Sequence, residues 1–235
     1  MSRAENTEMG SKMKPSELEA GWFPAGLQNY VLPKTAGRVV IADNDIALWR
    51  GEDGQIRAWE NRCPHRGMRL SYGIVRGNTL TCLYHGWSYD GAGACAGIPA
   101  HPDLTPPKTI RAKAYRAADS GGFIWVANSG ETTAAPSIDG DWVPNRSVHI
   151  DLAPASLNEL AKGIGAELVS KITDHAAIVR VPEVEGKVLL AFLDMKEHGA
   201  MIHTSVPASA SEDVVIAVSK LSTRLRQVFK ASSAA

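Results

Sequence analysis

Short apolar runs broken by turn residues fill the first half of the chain. Val39-Val40-Ile41-Ala42 is followed by Asp43-Asn44-Asp45, and Ile46-Ala47-Leu48-Trp49-Arg50 by Gly51-Glu52-Asp53-Gly54. Gln55-Ile56-Arg57-Ala58-Trp59 comes next. This spacing predicts an antiparallel meander, because each run is long enough for one strand and each break carries turn chemistry. Thr79–Leu83 and Gly122–Val126 are further predicted strands. Ile98-Pro99-Ala100-His101-Pro102 and Thr105-Pro106-Pro107 are predicted as extended loop, since proline cannot donate within a sheet ladder. Residues 21–127 therefore read as one all-β, loop-rich unit.

A different pattern begins after residue 127. Residues 128–150, with Pro136, Gly140 and Pro144, read as a linker. Ser156-Leu157-Asn158-Glu159 is a capping box, and Leu157, Leu160, Ile164 and Leu168 recur at helical spacing. Gly163 and Gly165 weaken that helix. Ala176–Val181, Lys187–Asp194 and Ala200–Val206 read as three strands. Ser211-Glu212-Asp213 opens a final helix, with Val214, Val218, Leu221, Leu225 and Val228 on one face. Residues 151–231 are thus expected to form a small α-β-β-β-α unit, residues 1–20 a polar, mobile tail, and the whole an α+β protein.

Composition narrows the function classes. Over 235 residues, 25 Lys and Arg balance 25 Asp and Glu, which supports neither a nucleic-acid footprint nor a polybasic membrane surface. No apolar run is long enough for a membrane-spanning helix, and the first twenty residues lack the apolar segment of a secretory signal. Three unevenly spaced cysteines point to metal or redox chemistry rather than a disulfide framework, and a cytoplasmic location is expected.

The chemistry lies in Cys63-Pro64-His65-Arg66-Gly67 and Cys82-Leu83-Tyr84-His85-Gly86-Trp87. Each segment offers a thiolate and an imidazole from one tight loop. Two such loops can clasp a binuclear iron–sulfur cluster, with both cysteines on one iron and both histidines on the other. A structural zinc site accepts the same donors but usually pairs Cys with Cys and His with His, whereas both halves here are mixed. Cys95 stands apart, either as a redox-active thiol or third ligand, or as a small residue in the turn after the second loop.

These segments, with Ala58-Trp59-Glu60-Asn61-Arg62 before them and Gly93-Ala94-Cys95 and Ile98-Pro99-Ala100 after, resemble the Rieske domain of aromatic-ring-hydroxylating and O-demethylating oxygenases. The resemblance runs from about Trp22 to Val126. It implies a Rieske [2Fe–2S] cluster held by Cys63, His65, Cys82 and His85, and favours the turn role for Cys95. Cytochrome bc-type Rieske proteins carry an extra, disulfide-linked cysteine in each loop, where this chain has Met68 and Tyr84. They also place a serine after the second His-Gly, where this chain has Trp87. Fewer hydrogen bonds to cluster sulfurs imply a potential at the low end of the class, on the order of −150 mV to 0.

In those oxygenases a large separate domain holds mononuclear iron on two histidines and a carboxylate. The comparable text here is Asp194-Met195-Lys196-Glu197-His198-Gly199-Ala200-Met201-Ile202-His203, with the aspartate one residue too far away. His198 falls in a predicted hairpin turn and little chain follows His203, which argues against such a site. The leading expectation is one-electron transfer, as a ferredoxin-like component or Rieske subunit. A reductase would be the donor and an oxygenase catalytic subunit the acceptor, with electrons leaving at His65 and His85 and with Arg66, Tyr84 and Trp87 shaping the docking surface. The alternatives are a short oxygenase with its own mononuclear iron, and a non-redox assembly or regulatory module.

Overall fold

The computed structural model describes residues 18–230 as a mostly β protein with few helices. Strands β1 (Trp22–Leu27), β2 (Thr35–Ile41), β3 (Asn44–Arg50), β4 (Ile56–Glu60), β9 (Ala114–Ser120) and β10 (Phe123–Ala127) form one antiparallel sheet, in the order β1-β10-β9-β4-β3-β2. Both faces of β1 and β10 are buried, so these strands carry continuous apolar runs rather than alternation. A smaller sheet, β5 (Ile74–Arg76), β6 (Thr79–Thr81), β7 (Ser88–Tyr89) and β8 (Cys95–Gly97), stands beside it. Residues 98–107 contain no strand, as their prolines require.

The remaining strands are β11 (Trp142–Ile150), β12 (Glu167–Thr173), β13 (Ala176–Arg180), β14 (Val188–Asp194) and β15 (Ala200–Pro207), ordered β11-β15-β14-β13-β12. Helix α2 (Glu212–Val228) lays Val214, Val218, Leu221 and Leu225 into their core, and Ser211 Oγ caps it by accepting from the Val214 N–H. Each such aliphatic burial is worth roughly 1.5–3 kcal/mol. Helix α1 (Leu157–Gly163) begins at the expected capping box, with Ser156 Oγ accepting from Glu159 N and Glu159 accepting from Ala155 N.

Three expectations need correction. Residues 142–150, expected within a linker, form β11, whose edge position tolerates Pro144 because a bulge between Pro144 and Arg146 absorbs the missing donor. Leu168, expected on the helix, lies in β12; α1 stops at Gly163, and the polar face of this edge strand hides its period of two. The second unit is therefore β-α-β-β-β-β-α rather than α-β-β-β-α.

The tail expected over 1–20 lies, for residues 1–17, outside the described residues. Leu18 is buried, and its carbonyl accepts from Asn128 Nδ2 at 2.9 Å, so the packed structure starts before residue 21. The two large sheets also share a core. Trp22, Leu27, Phe123 and Trp125 pack with Ala176, Leu189 and Ala191, and Leu193 joins the cluster around Ile46, Leu48 and Val126.

Candidate functional site

Two loops of the same construction project from the small sheet and from the end of β4. In the first, the Cys63 N–H donates to the Met68 carbonyl at 2.8 Å, and the Gly67 N–H returns to the Cys63 carbonyl at 2.8 Å. In the second, Cys82 N donates to the Trp87 carbonyl at 2.8 Å, and Gly86 N to the Cys82 carbonyl at 3.0 Å. The offsets are identical, so one loop design is used twice. The glycine in each takes a left-handed φ (74° at Gly67, 70° at Gly86), which turns the chain back after the histidine. That geometry is why glycine follows each imidazole so closely in sequence.

The loops sort their donors by depth. Cys63 and Cys82 are buried in an apolar cluster with Trp49, Trp59, Leu70, Leu80 and Tyr89, whereas His65 is half-buried and His85 exposed. The thiols face one another closely enough that the Cys63 side chain acts directly on Cys82; burial, first, pushes the Cys82 thiol up. The imidazoles form a second pair, with ring centroids 4.7 Å apart. His65 is pushed down by desolvation, then by His85 and Arg66. Among the described residues, no three His, Cys, Asp or Glu side chains converge as one mononuclear ion requires. A thiol pair beside an imidazole pair would suit a binuclear cluster, whose cations would supply the charge that holds thiolates in an apolar core.

Aromatic rings close the site. Trp87 stacks on His65 with centroids 4.1 Å apart and planes within 4°. Tyr84 leans on His85 at 3.8 Å while remaining 63% exposed, and Leu83 beside it is 56% exposed. Sequence reading missed Tyr89, two residues beyond the second motif, whose hydroxyl lies 3.2 Å from Cys63 Sγ. It also missed the cluster of Arg62, Arg66, Arg111 and Lys113 beside His65, because Arg111 and Lys113 are remote in sequence. Cys95 is buried in the same apolar cluster, in β8.

His198 and His203 are placed apart in character. His198 is exposed in the turn between β14 and β15, and its carbonyl accepts from His149 Nε2 at 2.7 Å. His203 is buried in β15, with Nδ1 2.7 Å from Ser147 Oγ. It borders a cavity of about 430 Å3 between the large sheets whose walls include Leu27, Met195 and Met201. No helix among the described residues is long and apolar enough to cross a membrane.

Comparison with known proteins matches residues 21–111 to the Rieske [2Fe-2S] domain family. Oxidoreductase NdmD of Pseudomonas putida is 41% identical over 106 residues, 45% of this chain and 18% of that protein. The 4beta-methylsterol monooxygenase of Methylococcus capsulatus is 38% identical over 109 residues, 45% of this chain and 29% of that protein. The oxygenase subunit of phthalate 4,5-dioxygenase from Pseudomonas putida is 31% identical over 137 residues, 57% and 31% respectively. The matched stretch thus spans less than a third of each of these relatives. Among solved structures, dicamba monooxygenase bound to dicamba superimposes with a TM-score of 0.71 at 18% identity, covering 91% of this chain and 86% of that one. At that identity the likeness is one of fold.

Proposed function

Because residues 21–111 are a Rieske [2Fe-2S] domain, which carries a Rieske-type cluster, we propose that the chain moves single electrons within an oxygenase system. Cys63 and Cys82 would hold one iron of that cluster and His65 and His85 the other. The observation that carries this reading is the repeated loop, which sets a buried thiol pair beneath an imidazole pair at the surface. The cluster supplies a one-electron store. The imidazoles of His65 and His85 bring that store to the surface, where a partner can approach, while Trp87 and Tyr84 cover their faces against water. The donor is a reductase and the acceptor an oxygenase catalytic subunit.

A second reading, an oxygenase with its own mononuclear iron, is favoured by the fold likeness to dicamba monooxygenase over 91% of the chain. It requires His198 and His203 to converge with a carboxylate, whereas one is exposed and the other is buried against Ser147. Iron and acid-labile sulfide analysis of the purified chain separates the two. Two irons and two sulfides per chain, reversibly reduced by one electron, fit the carrier. A third iron, lost in His203→Ala, would favour the oxygenase. Zinc without sulfide would remove both.

A further inference from the structure

The site has two unlike flanks. On the Tyr84 side the surface is apolar, whereas beside His65 an open cleft of about 510 Å3 is lined by Arg62, Arg66, Arg111 and Lys113 against a single carboxylate, Glu60. The chain as a whole carries no net charge, so this excess is local. Among the described residues no ion pair neutralises any of the four, whereas neighbouring Arg38 and Arg69 share Asp45. The cationic side chains are also held in place. Arg62 packs over Gly67, its Nε 3.2 Å from where a Cβ would stand, Arg111 donates to the Ala92 carbonyl at 2.8 Å, and Lys113 lies 5.5 Å from the Tyr115 ring centre.

We propose that this cleft is the docking surface for an acidic face of the electron-donor protein. The inference rests on the electron-carrier reading and names the partner's chemistry at the same site. Four cations beside one imidazole, three of them held by their own contacts, attract carboxylates over about a Debye length and orient them toward His65, which raises the encounter rate more than it tightens the complex. The step itself is one electron: the reduced donor is oxidised, and one ferric ion of the cluster becomes ferrous. Cations spaced around a cleft also suit several carboxylates on one rigid surface better than one small anion.

The test is stopped-flow reduction of the iron-loaded chain by a reduced plant-type [2Fe–2S] ferredoxin, an acidic donor, with binding of the oxidised pair measured by calorimetry. The second-order rate is expected to fall about ten-fold between about 20 mM and about 300 mM salt. The double variant Arg66→Glu, Lys113→Glu is expected to lose about ten-fold in rate and in affinity at low salt, and most of the salt dependence. Lys187→Glu, on the second sheet unit, is expected to leave both unchanged. Oxidation of the reduced chain by basic cytochrome c should show the opposite trend, rising with salt and accelerated in the double variant.

Dithionite separates electron storage by the cluster from docking of the donor. If it fails to bleach the cluster reversibly, the carrier reading fails. If it succeeds while the ferredoxin rate and affinity ignore both salt and the double variant, the docking surface is elsewhere. Saturable binding of inorganic phosphate, lost in the double variant while ferredoxin binding persists, would overturn the proposal in favour of a small-anion site.

Discussion

The Tyr89 hydroxyl lies 3.2 Å from Cys63 Sγ, across 26 residues of chain. Burial, then the Cys63 side chain, pushes Tyr89 up, so it stays protonated. With Cys63 as a metal-bound thiolate, as proposed, it can only donate. A donor aimed at a ligand sulfur stabilises the more negative, reduced state and so raises the potential. If reduction strengthens that bond by about 1.5 kcal/mol, the potential shifts by ~60 mV for one electron. Tyr89→Phe is therefore expected to lower the midpoint potential by roughly that amount with the cluster retained. An unchanged or higher potential in a redox titration would contradict it. The low potential expected from Trp87 is thus partly offset by Tyr89.

Of the two loop glycines, Gly86 tolerates substitution less. A Cβ there would stand 2.9 Å from Cγ of the rigid Pro99 ring, on a residue whose φ of 70° already costs a side chain ~1–2 kcal/mol. At Gly67 the nearest atom is Arg62 Nε at 3.2 Å, on a flexible side chain. Gly86→Ala is expected to lose most of its iron and sulfide with the far-ultraviolet circular dichroism intact, and Gly67→Ala to retain more of both. Equal loss in the two variants would show that φ alone governs the loops.

The sequence made these loops legible because each proposed ligand pair is local: C-x-H and C-x-x-H, with a glycine after each histidine, suggest the chemistry and state the turn. The parts that escaped it are assembled over distance. Lys113 meets Arg62 through the pairing of β4 with β9, where the Glu60 N–H donates to the Lys113 carbonyl at 2.8 Å. In β11, Pro144 reads as a break until β15 is beside it, and Leu168 of β12 reads as helical until β13 pairs with that strand. Helix α2 was readable because its apolar stripe is complete without any partner.

Arg50 and Asp119 tie together strands that are not adjacent, β3 and β9. The guanidinium meets the carboxylate twice, at 2.7 and 2.9 Å, and also donates to the Val31 and Gly54 carbonyls, with the Arg50 side chain only 7% exposed. Asp119→Ala leaves that cation buried without its counter-charge and is expected to cost about 3 kcal/mol in urea unfolding. Arg50→Met combined with Asp119→Leu is expected to recover part of that loss, because the double change removes both desolvated charges. A double variant no more stable than Asp119→Ala would mean the backbone contacts of Arg50 dominate.

His203 makes the fold sensitive to acid. It is buried, with Nδ1 against Ser147 Oγ and Nε2 without a partner among the described residues. Burial pushes it down to about 4, opposed by the Pro24 backbone. His175, also packed between the sheets, is pushed down by burial as well. A histidine whose folded pKa is depressed favours the folded state while it is neutral. That stability is present above the unfolded pKa near 6.5 and is lost as pH falls toward about 4, because the unfolded chain takes up the proton first. Between pH 7 and pH 5 the His203 contribution amounts to ~2 kcal/mol. Urea midpoints measured across that interval are expected to drop for the unaltered protein and to drop less for His203→Gln, which cannot titrate. Parallel curves for the two would show that another group, or the His175 ring alone, carries the acid sensitivity.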